Sequence, residues 1–319
     1  MTTRILDLPA LDGREPLGFL AALGLLNILA SECNLPARLA FSEVTGCAQL
    51  TSPLPATADV ADAVNQVIRD IPADAVLPGA QPGFPPPSAS GPDPLRQARP
   101  GYQTLAKQLR ARDSQIADRW LPALITDLAL DNSERCATTP LNAPSGKQKL
   151  RTFFEKPLQQ VQQHSDYIHQ ALTAWQRVEG CTGEYLDHRV LRSNADDVLG
   201  RAGLETGVPG ATWLAIMALP LLRLTGQGGH RAATLWHHPD GRPLMLWPLW
   251  TASLDPSGAQ ALLSHPAIRP IDSTPTVDTR PWAPLSIFNV YGAERQRISG
   301  RIFEGVLAPI HVTKTTSGR

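Results

Sequence analysis

From Pro16 to Ala30 one predicted helix carries apolar residues on nearly every face: Leu17, Phe19, Leu20, Leu23, Leu25, Leu26, Ile28 and Leu29. An all-round apolar helix must be wrapped by other elements. Pro16 suits the first turn, where its missing N–H is not needed. The run is shorter than the ~20 residues a bilayer span requires. A second apolar run, Ala211–Leu224, is also short and is interrupted by Pro220. Both are predicted as central core helices. Arg14 and Glu15 before the first run, and Glu32 beside Cys33, argue against a signal peptide or lipoprotein box. The expected location is cytoplasmic.

Around these helices the pattern predicts an α+β fold. Residues 1–71 read as an N-terminal α/β module: a strand over 4–9, the buried helix, a hairpin from Ala37–Phe41 and Cys47–Ser52, and a helix over Ala58–Asp70. Residues 72–100 hold nine prolines, including Pro85-Pro86-Pro87. Proline removes donors and fixes φ, so this stretch reads as an irregular linker or loop, with partner docking as the functional alternative. Residues 101–209 read as a helical region, with helices over Tyr102–Arg112, Asp113–Leu130, Lys147–Gln163 and Asp166–Val178, then a loop. Residues 210–319 form a C-terminal α+β region. There a hairpin is expected from Ala232–His237 and Pro243–Trp250 around Pro239-Asp240-Gly241, with strands near Pro284–Tyr291 and Arg301–His311.

The 319 residues carry no net charge, so any attraction to a polyanion must be local. Residues 1–71 hold four basic and eight acidic groups, whereas 101–163 hold nine against six and 210–319 ten against six. Cys33, Cys47, Cys136 and Cys181 show no C-x-x-C spacing and read as reduced thiols. The seven tryptophans all follow residue 119 and read as core more than as a base-stacking platform.

Four stretches could carry chemistry. In Thr139–Arg151, Ser145 and Gln148 fit a capping box, and Gly146 would let a ligand approach the backbone. Lys147 and Arg151 would share one edge of a helix whose free N–H groups attract phosphate; Lys149 points elsewhere. The ordinary alternative is a capped helix with solvated lysines. Leu141 and Gln148 stand where a Walker A loop needs Gly and Ser/Thr. In Gly183–Asp197, Glu184, Asp187, His188 and Asp196 could form an acid–base or metal site, or Arg189 and Arg192 could pair with those acids or reach phosphates. Thr225–Arg231 could cradle an anion but reads better as a helix C-cap leading into a hairpin. Arg295 and Arg297 alternate along a strand, with Arg301 beyond, as a solvated edge or a backbone-contact stripe.

Three segments together resemble a known group. Leu11–Leu29 (LDGREPLGFLAALGLLNIL), Thr139–Arg151 (TPLNAPSGKQKLR), and the run from Leu186 through Pro209–Leu221 to Trp247–Trp250 are similar to the CRISPR-associated type I-G (formerly I-U) Csb and Cascade large-subunit-like families. The likeness spans most of the chain except the proline-rich stretch. It implies a non-catalytic subunit of a type I effector in antiviral defence. Its partners would be other Cascade subunits, crRNA, target DNA and the Cas helicase–nuclease. In such complexes guide pairing selects sequence while protein holds backbone. The chain departs from the larger members in being short and ending in β-structure.

The expected nucleic-acid contacts are therefore Ser145, Gly146, Lys147, Lys149 and Arg151, with Arg189, Arg192 and Arg201 behind them. No catalytic residue, cofactor or metal is expected. The alternatives are a metal-dependent nuclease or hydrolase using Glu184, Asp187, His188 and Asp196, and an adaptor docking through Pro78–Pro94.

Overall fold

The computed structural model describes residues 3–80, 82–88, 91–142, 149–190, 205–271, 274–296 and 305–316, with side chains except those of Ser114–Ile116, Asp240 and Gln296. β1 (Arg4–Asp12) turns at Gly13 into α1 (Pro16–Ser31), whose residues from Pro16 to Leu29 are all buried. β2 (Arg38–Phe41) and β3 (Cys47–Ser52) complete an antiparallel sheet of order β1-β3-β2. A register shift between Leu8 and Asp12 lets both Leu8 and Leu11 face the core. α2 (Thr57–Asp70) buries one stripe, Val60, Ala61, Val64 and Ile68. The α+β class and these elements agree with the sequence pattern.

The proline-rich stretch is not a free linker. Ala75, Val76, Leu77, Phe84 and Leu95 are buried in the common core. Prolines set its irregular path, while the apolar residues between them hold it down as a strap.

α3 (Arg99–Arg112) is followed by α4 (Ser114–Arg119) and α5 (Leu121–Leu124), then by a hairpin of β4 (Ile125–Leu130) and β5 (Cys136–Thr138). The predicted single helix over Asp113–Leu130 thus breaks at its middle. Pro122 opens α5, a position where its missing donor is tolerated, and the β-branched Ile125-Thr126 pair turns extended. α6 (Leu150–Gln163) and α7 (Asp166–Thr173) are shorter than the predicted Lys147–Gln163 and Asp166–Val178. β6 (Val178–Glu179) then pairs with β7 (Thr206–Gly207), and α8 (Pro209–Ile216) follows.

α8 is buried along its whole length and lies directly on α1. At Gly24 a Cβ would stand 1.7 Å from the Leu214 carbonyl oxygen, so this glycine sets how close the two helices run. Across the same seam the Asn27 side-chain amide donates to the Met217 carbonyl at 2.8 Å. A buried polar group needs such a partner, and this one fixes the register of the helices.

The remainder is mostly sheet. β8 (Leu224–Gln227), β9 (His230–Ala233), β10 (Trp236–His237) and β11 (Leu244–Trp250) precede α9 (Pro256–Leu263) and β12 (Thr276–Asp278). β13 (Ile287–Gln296), β14 (Val306–Ile310) and β15 (Thr313–Thr315) follow. The larger sheet is antiparallel, of order β14-β13-β11-β10-β9-β8. β11 is buried on both faces, which explains its unbroken apolar run. Pro248 is tolerated within it because β10 pairs only with Leu244 and Met245, leaving that side of Pro248 without a strand neighbour. Trp247 Nε1 donates to the Gly13 carbonyl at 2.7 Å and Trp250 Nε1 to the Leu39 carbonyl at 2.9 Å. Phe19, Phe41, Trp247 and Trp250 pack as one aromatic cluster.

Candidate functional site

The helix start expected over Ser145–Arg151 is the first place proposed from sequence to hold phosphate. Ser145, Gly146 and Lys147 lie outside the described residues, as do Arg192 and Arg201. α6 begins at Leu150, so the expected cap at Ser145 is replaced by one from a distant segment. The Asp93 carboxylate on the strap accepts from the Leu150 N–H at 2.5 Å and from the Leu95 N–H at 2.8 Å. That anion already occupies the positive end of the helix. Lys149 Nζ donates to the Ser88 carbonyl at 2.7 Å, and the Arg151 guanidinium donates to the carbonyls of Pro85 and Asp74 and lies 3.5 Å from Glu155. The described basic residues here hold the strap to α6 and are not an open cationic face.

The second place is the turn-rich segment around Asp187. Its carboxylate is buried and accepts from the Arg177 guanidinium at 2.5 Å and from Arg189 Nε at 3.0 Å. Burial works against its ionisation, but the Arg189 amide and the Arg177 side chain outweigh that and hold its pKa below the usual carboxylate range. Arg189 also stacks 5.6 Å from the Trp175 ring centroid and lies 3.9 Å from Glu15 Oε2. Arg189 is thus an internal partner of acids. His188 Nδ1 stands 3.7 Å from Asp187 Oδ1 and 3.9 Å from Glu15 Oε2.

Gly183, Glu184 and Tyr185 all have positive φ, forming a left-handed turn that costs non-glycine residues energy. Glu184 is buried there, and burial pushes its pKa up to about 7. Asp196 lies outside the described residues. Among the described residues no three His, Cys, Asp or Glu side chains stand close enough to hold a metal ion.

A third place takes in part of Thr225–Arg231, the stretch that reads from sequence as a hairpin lead-in in preference to an anion cradle. Between β8–β10 and the segment after α9 opens a cleft of about 600 Å³. Arg223, Arg231 and Arg269 line it, with four imidazoles from His230, His237, His238 and His265. Thr225, Gln227 and Ser264 add neutral hydrogen-bonding groups. No described carboxylate lines it, and among the described residues neither Arg223 nor Arg269 forms an ion pair.

The strands explain the placement. Arg223, Thr225 and Gln227 alternate along β8 and its lead-in, so they share a face. Gln227 pairs across the hairpin with His230.

The electrostatics are those of excess positive charge. Burial, then Arg269 and His238, lower the His237 pKa to about 4. Burial, then Arg231 and His230, lower that of His238. Arg231 donates to the Thr138 carbonyl at 2.8 Å, and burial and then Arg96 depress its own pKa.

Behind it stands Arg295, expected as an edge or backbone-contact residue. Instead it donates to four backbone carbonyls, those of Tyr185, Gly305, Pro140 and Leu141. Its partners Arg297 and Arg301 lie outside the described residues.

The lining has the chemistry of an anion site: guanidinium groups grip phosphate oxygens in pairs, and hydroxyls and amides complete the shell. The signal in sequence was the Gly-rich Thr225–Arg231 turn, read as a hairpin lead-in, plus a His-His pair and Arg269. Only the fold brings these together. No family model matches the chain, and no curated protein is significantly similar to it in sequence.

Proposed function

We propose that the chain is a non-catalytic subunit of a type I CRISPR effector of the Cascade kind, and that it grips nucleic-acid backbone. The observation that carries the reading is the cleft lined by Arg223, Arg231 and Arg269 with no described carboxylate on its wall. In a chain of zero net charge, such local segregation of positive charge suits a polyanionic ligand. The likeness of Leu11–Leu29, Thr139–Arg151, and Leu186–Leu222 with Trp247–Trp250 to type I-G subunits supports the assembly. The principal contacts move from Lys149, Arg151 and Arg189, which have partners inside the chain, to the cleft. Ser145, Gly146, Lys147, Arg192 and Arg201 remain proposed secondary contacts.

The rival readings gain no specific support. Asp187, on which a hydrolase would depend, is already saturated by arginines, and the Pro78–Pro94 segment offered for docking is fastened to the body. The test is co-expression with type I-G subunits and crRNA, followed by binding to labelled DNA over a range of salt. Wild type is expected to co-purify with crRNA. Arg223→Ala with Arg269→Ala is expected to weaken binding equally across sequences and to lower the salt slope by roughly 0.7–0.9 for each phosphate no longer neutralised. Equal affinity and slope in the double variant would defeat the assignment.

A further inference from the structure

The histidines of the cleft give it a property that arginines alone would not. β9 brings His230 and Arg231, β10 and its turn bring His237 and His238, and the segment after α9 brings His265 and Arg269. His265 Nδ1 accepts from the Ala267 N–H at 3.1 Å, which keeps that ring in a structural role. On the far side, β11 presents Leu244 opposite His237. One strand further, Glu294 is bonded to Arg242. Among the described residues, the charged and titratable groups acting on His237 and His238 are Arg269, Arg231, His230 and each other.

An imidazole in that field stays neutral while the cleft is empty. A phosphate seated between Arg269 and His237 would reverse the field and accept a charge-assisted hydrogen bond from the imidazolium. We infer, resting on the reading above, that the cleft binds phosphodiester backbone together with protons, taken up by His237 and His238, so that affinity rises as pH falls. The low pKa of both rings in the empty cleft agrees with this, since it leaves room for a rise on binding.

The probe is a short fluorescein-labelled oligothymidylate, titrated by anisotropy at constant ionic strength. Binding is expected to tighten about fivefold between pH 7.5 and 6.0, since one linked proton gives at most tenfold per pH unit. In the H237Q/H238Q double variant the change is expected to fall below twofold. Calorimetry on the unaltered protein in two buffers of different ionisation enthalpy is expected to show uptake of roughly half to one proton per oligonucleotide. A flat wild-type profile with no proton uptake, while Arg223→Ala still weakens binding, overturns the proton linkage and leaves the cleft as the site. An unchanged pH response in the double variant also overturns it. Absence of wild-type binding at every pH overturns the reading beneath it.

Discussion

Glu184 shows how one side chain can set the pH response of the fold. It sits in a left-handed turn between Gly183 and Tyr185 with 2% of its surface exposed, and burial raises its carboxyl pKa to about 7. Because the folded value lies above the unfolded one, its contribution to stability is complete below about pH 4.5. It is lost as pH rises through about 7. His237 acts in the opposite sense: its folded pKa of about 4 is depressed, so its contribution is present above the unfolded value and lost on acidification. Over the same acidic-to-neutral window the two slopes oppose each other. Glu184→Gln removes one of them. The variant is expected to match wild type near pH 4.5 and to exceed it by about 3 kcal/mol at pH 8. Urea unfolding at the two pH values measures this; a difference independent of pH would show that the carboxyl does not titrate in the fold.

At the scale of elements, the chain's local signals were strong where burial is uniform and weak where a distant partner decides. α1, the β2–β3 hairpin and β11 were legible because their apolar runs admit one solution. The start of α6 was not. Ser145 and Gln148 looked like a cap, yet the anion that caps the helix comes from Asp93, more than fifty residues earlier. The same carboxylate explains why the proline-rich stretch is a strap: it ties that segment to α6, and Lys149 and Arg151 fasten it from the other side. The cleft was legible only in part for a related reason: Thr225–Arg231 offered an anion cradle, but Arg223, His237 and Arg269 share no local pattern with it. Asp93→Ala should remove the cap and one anchor together. A loss of about 1–2 kcal/mol is expected, with faster proteolytic cleavage within residues 72–98 than in wild type. Unchanged cleavage in that variant would mean that the buried side chains of Leu77 and Phe84 hold the strap unaided.

Across the whole molecule, the segments that sequence divides into module, linker, helical region and C-terminal region share one apolar core. Leu20, Leu77, Phe153 and Trp247 belong to a single buried cluster. α1 and α8 lie far apart in sequence and meet backbone to backbone at Gly24, while Trp247 and Trp250 bond back to Gly13 and Leu39. Neither apolar helix could be solvated alone, so the N-terminal sheet and the C-terminal sheet stabilise each other through them. This ties the cleft to the core, because β10 and β11 carry His237 and Trp247 in the same sheet. Such an arrangement should unfold as one unit. Gly24→Ala tests it, for the added Cβ would stand 1.7 Å from the Leu214 carbonyl and must force the helices apart. The variant is expected to be destabilised by about 3 kcal/mol or more. Tryptophan fluorescence, whose seven reporters include Trp213 in α8 and Trp247 and Trp250 in β11, and far-ultraviolet circular dichroism should still fall together in a single transition. Two separate transitions, with only one shifted by the substitution, would show instead that the two ends fold independently and that the seam between α1 and α8 is not what joins them.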